Sequence, residues 1–146
     1  MNVVVDKPSS IARLTMSEAR KDLAGVLDAA EAGRIPVVQR RGKKAAVVEL
    51  GRLRYMLSQI IVPRGAQVVH EGGLWVAYLE GLPLAAEEPS FDGAIDELIR
   101  AMREYAADWE DHLHAAPNHK DNWGLVQFTV LSTDEQLKEW LLAFDE

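Results

Sequence analysis

The chain has 146 residues, 27% of them charged, a formal net charge of −7 and no cysteine. This length fits one domain or two small ones, and the lack of thiols excludes disulfides, thiol catalysis and cysteine-ligated zinc. The sequence has no apolar run near the roughly 18 residues of a membrane-spanning helix and no signal-peptide pattern, so we expect a cytoplasmic protein with no membrane partner.

An amphipathic helix is the first element that the sequence predicts. Its apolar residues recur at helical spacing and form one stripe: Leu23, Val26, Leu27 and Ala30. Thr15 or Ser17 can cap its amino end, and Gly33 is suited to end it. We therefore expect a helix that begins near Ser17 and stops at Gly33.

A β-hairpin and a second helix follow. Residues 35–40 and 45–50 are rich in valine and predict two strands, joined by the basic turn Arg41-Gly42-Lys43-Lys44. Residues 52–61 then predict a helix with an apolar stripe at Leu53, Met56, Leu57 and Ile60. Together these elements predict a small α+β unit.

Short motifs stand in a fixed order within residues 11–58. They are Ser17-Glu18-Ala19-Arg20, Glu31-Ala32-Gly33, Pro36-Val37-Val38, Arg40, Gly42-Lys43, Ala46-Val47-Val48 and Tyr55-Met56-Leu57. The ordered set resembles the Phd/YefM family of antitoxins, with Gln39 in place of a usual threonine and Gly51-Arg52 in place of a polar helix cap. This resemblance implies that residues 1–62 form a dimerising unit that binds a palindromic operator and represses its own operon, with Arg20 and Arg40 as DNA contacts.

Basic residues crowd around the predicted hairpin turn. Arg40, Arg41, Lys43 and Lys44 fall within five positions, where their mutual repulsion gains the fold nothing. Phosphate binding would relieve it, with arginine suited to reading bases and lysine to holding phosphates. Arg20, placed in the first turn of the predicted helix, would oppose the helix dipole, which also hints at function, and Arg13 is a weaker member of this DNA-binding set. The ordinary alternative is a solvated basic surface.

Charge divides the chain into unlike halves. Residues 1–69 hold 12 Lys+Arg and 6 Asp+Glu, whereas residues 70–146 hold 4 and 17, so the halves carry +6 and −13. Proline and glycine in the segment between residues 62 and 66 mark the predicted boundary. A basic half suits a phosphate backbone and an acidic half suits a basic protein, although both could be ordinary solvated surfaces.

The acidic half predicts strands at residues 66–70, 74–79 and 84–87, with a glycine turn between the first two. A long helix then starts at Ser90. Its stripe is Ile95, Leu98, Ile99, Met102, Tyr105, Ala106, Trp109 and Leu113. Residues 123–131 predict a strong strand, and Ser132 to Glu135 read as the capping box of a last helix.

The motifs of this half again stand in order: Glu71-Gly72-Gly73-Leu74-Trp75-Val76-Ala77-Tyr78, Leu82-Pro83 and Ser90-Phe91-Asp92-Gly93-Ala94-Ile95-Asp96-Glu97-Leu98. They are similar to the HicB-type antitoxin domain over residues 66–131, although Leu84 replaces a usual glycine. The resemblance implies a partial ribonuclease-H-like βββαβ unit, followed here by a terminal helix, in which residues 66–146 bind a toxin.

An enzyme is not expected from this sequence. No serine lies in a nucleophile elbow and no phosphate-binding glycine loop occurs. His112, His114, His119 and Asp121 could gather around a metal, but polar residues at a helix end are the ordinary interpretation, so we expect no metal and no cofactor. The four tryptophans are expected in the core, with one kept as a toxin-binding anchor beside two apolar neighbours: Trp140, Leu141 and Phe144.

The sequence therefore predicts an α+β antitoxin of a type II toxin–antitoxin system. Its expected partners are a basic, ribonuclease-type toxin, operator DNA and further copies of itself, as a homodimer or a higher homo-oligomer. The alternative is a stand-alone transcriptional regulator whose acidic half serves oligomerisation or sensing.

Overall fold

A computed structural model of the chain describes residues 13–143. These residues divide into two compact units, with the boundary between Leu53 and Arg54. Each unit combines helices with one three-stranded sheet, so the predicted α+β class is confirmed. The functional division between residues 62 and 66 stays a prediction. Among the described residues no helix is both long and apolar enough to cross a bilayer.

The first unit is built on a mixed sheet. Strand β1 (Arg13–Thr15) pairs in parallel with β2 (Val37–Arg40), and β3 (Lys43–Ala46) pairs with β2 in the antiparallel sense. The sequence did not predict β1, which is too short to show a period. Its Leu14 lies opposite Val38 and belongs to the core of this unit.

The predicted first helix is two helices, α1 (Met16–Lys21) and α2 (Leu23–Glu31), because Asp22 breaks it. Asp22 leaves the helical conformation and its carboxylate accepts the Gly25 N–H at 3.1 Å, which starts α2. Arg20 therefore lies in the last turn of α1, where a cation interacts favourably with the helix dipole, and the expectation that it opposes the dipole is wrong.

The amino end of α1 carries a capping box. The Thr15 hydroxyl accepts the Glu18 N–H at 3.1 Å, and the Glu18 carboxylate accepts the Thr15 N–H at 3.0 Å. These bonds lower the pKa of Glu18. Thr15, rather than Ser17, is the cap.

The predicted stripe of the first helix is only half buried. Val26 and Ala30 are buried, whereas Leu23 and Leu27 keep 58% and 48% of their surface exposed. Val26 belongs to the core of this unit, together with Leu14 and Ala19, whereas the two leucines lie outside that core. This unit therefore presents an apolar surface that its own described residues do not cover.

The hairpin turn has two residues, not four. Arg41 and Gly42 occupy it with φ of 51° and 75°, and Lys43 already pairs with Arg40. The predicted hairpin is present, but the bounds predicted for its second strand, 45–50, are wrong, because β3 spans Lys43–Ala46 and helix α3 (Leu50–Ile60) begins four residues after it ends.

Glu49 caps α3 in place of a hydroxyl side chain. Its carboxylate accepts the N–H groups of Gly51 and Arg52 at 3.1 and 2.8 Å, and these bonds lower the pKa of Glu49. The predicted stripe of this helix is only partly buried, since Met56 and Ile60 are 57% and 70% exposed.

The second unit contains a meander of β4 (Gln67–Glu71), β5 (Leu74–Leu79) and β6 (Leu84–Glu88), so the three predicted strands are confirmed. Gly72 and Gly73 form the first turn with φ of 59° and 80°, a conformation that glycine adopts without strain. Alternate residues of β5, Ala77 and Leu79, are fully buried.

Helix α4 (Phe91–Asp111) covers the buried face of this sheet. Ser90 caps it by accepting the Gly93 N–H at 3.0 Å, as predicted. Its predicted stripe is confirmed as far as Trp109, since the buried residues of α4 are Ala94, Ile95, Leu98, Ile99, Met102, Tyr105, Ala106 and Trp109. Leu113, the last predicted member, lies beyond the end of α4 in a short 3-10 helix and is not buried.

The predicted strand at residues 123–131 is wrong, because this segment is helix α5 (Trp123–Leu131). The run is apolar on nearly every side, so it shows no period that would separate a buried helix from a buried strand. Its β-branched and aromatic residues favoured the strand. In the fold, Leu125, Val126, Phe128 and Thr129 are all buried. The described residues therefore lack the fourth strand of the predicted βββαβ order.

Helix α6 (Asp134–Leu141) ends the described chain. Thr133 and Gln136 form its capping box, one position beyond the predicted pair Ser132 and Glu135. Ser132 instead donates its hydroxyl to the Phe128 carbonyl at 2.6 Å and closes α5.

Arg103 holds the corner between α5 and α6. Its guanidinium donates to the carbonyls of Thr129 and Ser132 and to the carboxylate of Asp134, the last two at 2.8 Å. One side chain thus satisfies partly buried carbonyls at the end of α5 and joins both helices to α4.

We expect Arg103→Met to lower the free energy of unfolding by about 2 kcal/mol, because it leaves partly buried carbonyls unsatisfied. Urea denaturation followed by circular dichroism measures the change. Arg100→Met on the same helix is the matched control, since Arg100 contacts only exposed glutamates and its loss should leave the midpoint close to that of the parent. Equal midpoints for the two variants would contradict the bracing role of Arg103.

Candidate nucleic-acid interface on the first unit

Four cations meet at the end of the β2–β3 hairpin. Arg40 lies directly opposite Lys43, Lys44 lies opposite Gln39, and Arg41 occupies the turn between them. All four side chains are exposed. We call Arg40, Arg41, Lys43 and Lys44 the basic hairpin.

A shallow hollow of about 540 Å³ opens beside the basic hairpin. Its lining joins the four cations to three apolar side chains: Met16, Val38 and Ala45. This mixture suits a ligand that carries phosphate charge next to a less polar group, as a nucleotide does. Met16, 43% exposed, was not predicted as a site residue, and nothing in its sequence context marks it as one.

The basic hairpin has no charge partner within residues 13–143. Every ion pair found in this part of the chain lies in the second unit, so no described carboxylate pairs with the four cations. Two like charges directly opposite each other on paired strands are unfavourable. An anionic ligand would remove this repulsion.

Other cations of the basic half serve the fold. Arg52 donates to the carbonyls of Ala30 and Glu31 at 3.3 and 3.2 Å and so caps the end of α2. Within the second unit, the Arg54 guanidinium lies 5.9 Å from the ring centre of Phe128. The sequence alone did not separate these structural cations from those of the basic hairpin.

The turn places a charged residue at a position where the backbone conformation favours glycine or asparagine. Two-residue hairpin turns of this kind favour Asn-Gly or Gly-Gly, because both residues need positive φ. Arg41 takes the first position with φ of 51°, which costs an ordinary side chain on the order of 1 kcal/mol. A cation is thus kept at the tip of the hairpin against the local rule.

Two predicted DNA-binding residues lie elsewhere on the unit. Arg13 is opposite Val37, so it is on the sheet face that also carries Lys44, not the face of Arg40 and Lys43. Arg20 is exposed at the end of α1 and does not line the hollow. The structure therefore gathers four of the six predicted residues.

The residues predicted to bind a toxin are placed differently. Trp140 and Leu141 are buried in the second unit, 9% and 0% exposed, and Trp140 packs against Phe128 with ring centres 5.2 Å apart. In this conformation they offer little surface to a partner. Phe144 lies outside the described residues. Their toxin-binding role stays a prediction.

The histidines occupy separate structural positions. His70 stacks on Trp75 at 4.4 Å, and His119 accepts or donates a hydrogen bond with the Tyr105 hydroxyl at 2.9 Å. Across residues 13–143, no group of three His, Asp or Glu side chains is placed to hold a metal ion.

Comparison with known proteins places the fold. No protein-family model matches the sequence, and no curated protein matches it. Among solved structures, the chain is similar to the crystal structure of the antitoxin part of a candidate toxin/antitoxin system from Syntrophomonas wolfei subsp. wolfei. The two share a TM-score of 0.74 and 20% sequence identity over 88% of this chain and 94% of that chain. At this identity the likeness establishes a shared fold, and the Phd/YefM and HicB-like resemblances stay predictions.

We expect Arg41→Asn to raise the free energy of unfolding by about 0.5–1 kcal/mol, because asparagine tolerates the left-handed conformation better. Thermal unfolding at low salt measures it. Arg41→Lys retains the charge and an unfavourable side chain, so it should melt close to the parent. A lower melting temperature for Arg41→Asn would show that Arg41 supports the fold instead of a ligand.

Proposed function

We propose that this protein is the antitoxin of a type II toxin–antitoxin system, which neutralises a toxin by direct binding and represses its own operon. The observation that carries the proposal is the fold shared with the Syntrophomonas wolfei antitoxin over nearly the whole of both chains. That likeness concerns the fold, and the surface chemistry of each unit supports the role proposed for it.

The first unit is assigned to operator DNA. Its basic hairpin presents four cations, which form no ion pair within residues 13–143, beside a hollow with apolar walls. Strand β1 pairs with β2 only as far as Gln39, so the end of the hairpin extends beyond the three-stranded part of the sheet. Such a two-stranded end fits the major groove of DNA, where arginine reads guanine edges and lysine contacts phosphate. Arg13 and Arg20 are proposed as flanking phosphate contacts.

Dimerisation is proposed through the uncovered apolar surface of the first unit. Leu23 and Leu27 lie one turn apart on α2 and are about half exposed, as is Ile35 at 54%. A unit with so small a core gains stability by covering such residues with a second copy. A dimer would also match the two-fold symmetry of a palindromic operator.

The second unit is assigned to the toxin. Residues 70–146 carry a net charge of −13, which repels DNA and attracts a basic, ribonuclease-type protein. This charge difference is what favours an antitoxin over a DNA-binding regulator with a single partner.

We expect the purified protein to bind its own upstream DNA in a mobility-shift assay, with an affinity that falls steeply as salt rises. Arg40→Gln/Lys43→Gln should weaken binding at least tenfold, because Arg40 loses a base contact and Lys43 a phosphate contact, and the lost phosphate contact should reduce the salt slope by about 1. Arg41→Asn should also weaken binding.

The matched control is Lys21→Gln/Arg34→Gln, which removes the same charge from exposed positions outside the hollow. It should bind DNA within about threefold of the parent, because removing these two charges weakens only the long-range attraction to DNA. Equal losses in both double variants would reject specific contact by the basic hairpin, and no binding by the parent would reject the DNA assignment.

We expect the product of the adjacent reading frame to arrest growth when expressed alone and to co-purify with this protein when both are expressed. Co-expression should restore growth, because the antitoxin masks its partner by direct contact. Size-exclusion chromatography and growth curves measure the two effects. A neighbour that is harmless and does not bind would favour a stand-alone transcriptional regulator.

A further inference from the structure

The sheet of the second unit has two edge strands, β4 and β6, and β6 is the one that borders a groove. In the order β4-β5-β6, β6 pairs with β5 on one side, and no other described strand lies beyond it. Every second residue of an antiparallel edge strand points its N–H and C=O groups away from its neighbour. Such groups are ready to pair with another extended chain.

A groove of about 370 Å³ follows this edge, between β6 and α4. It is lined by alanines, glutamates and one arginine: Ala85, Ala86, Glu87, Glu88, Glu97, Arg100, Ala101 and Glu104. The three alanines leave room for a backbone to approach closely. The four carboxylates outnumber the single guanidinium, so the groove keeps an excess of negative charge.

The single cation of the groove, Arg100, already forms ion pairs within α4. Arg100 donates from Nε to Glu97 at 2.9 Å and from Nη1 to Glu104 at 3.3 Å. Glu97 foremost, then Glu104 and Glu88, raise the pKa of Arg100 above its ordinary value. One shared cation leaves most of the carboxylate charge available to a second positive group.

The negative charge beside β6 determines which kind of chain can pair with this edge. Pairing of two copies through β6 would bring Glu87 and Glu88 of both chains together, which like-charge repulsion opposes. Nucleic acid is repelled for the same reason. An extended protein segment with lysine or arginine at alternate positions satisfies both the open backbone groups and the carboxylates.

We propose that β6 is the docking edge for the toxin, and that a basic extended segment of the toxin adds to the sheet as a fourth strand in this groove. The inference rests on the proposed antitoxin function and specifies its contact surface. It also explains the alanines at positions 85 and 86, because the small side chains of Ala85 and Ala86 keep the edge accessible.

Hydrogen–deuterium exchange of the full chain, with and without the purified product of the adjacent reading frame, tests the strand addition. Outward-pointing β6 amides within residues 85–88 should exchange at least tenfold more slowly in the complex, because new hydrogen bonds protect them. The wild-type chain is used, so this measurement does not depend on the folding of any variant.

Charge reversal tests the groove. Glu97→Lys/Glu104→Lys should weaken binding by about tenfold or more, whereas Asp108→Lys/Glu110→Lys should change it less than about threefold. The second pair makes the same charge change at exposed positions of α4 outside the groove. Thermal melts establish that both variants remain folded.

Binding of the neighbour without slower β6 exchange would overturn the docking edge and leave the antitoxin role standing. Equal weakening by both charge reversals would also overturn it, since general attraction would then explain the affinity. Absence of binding by the wild-type chain would reject the antitoxin role, and the docking edge with it.

Discussion

The second unit depends on burying one face of α4. Ile95 and Leu98 on that face are fully buried, and β5, β6, α5 and α6 all pack against it. A helix that serves as the centre of a unit must keep its opposite face in water, and there its charged residues recur. The acidic side of the groove beside β6 is therefore a direct consequence of amphipathicity, whereas its open edge and its alanines are not.

The first unit is organised by a much smaller core. Leu14, Ala19 and Val26, with Val38 and Val47 packed against them, hold two short helices to a sheet of three short strands. So small a core cannot cover all the apolar residues of its own helices, and within residues 13–143 no carboxylate forms an ion pair with the basic hairpin. Self-association would cover the exposed apolar residues, and DNA binding would neutralise the cations.

Local rules predicted the elements whose signals were strong. The stripe of α4, the Ser90 cap and the glycine turn after β4 each depend on contacts within a few residues, and the structure has them as predicted. The strand prediction for residues 123–131 was wrong because a segment that is buried on several sides shows no hydrophobic period. Asp22 was missed as a helix break, since its cap for α2 competes with an otherwise continuous helical pattern. The hollow beside the basic hairpin could not be predicted, because one of its walls is Met16, which only the fold brings close to the hairpin.

The opposite charges of the two units bear on how the proposed functions combine. DNA attracts the basic hairpin and is repelled by the acidic unit, while a basic toxin responds in the opposite way. Electrostatics therefore direct DNA and toxin to different surfaces of the protein, so the two ligands do not compete for one site. A toxin bound at the β6 groove would also neutralise negative charge that repels DNA, so its binding would favour DNA binding by the same chain. By linkage, DNA would favour toxin binding equally, and this reciprocal effect would weaken with rising salt.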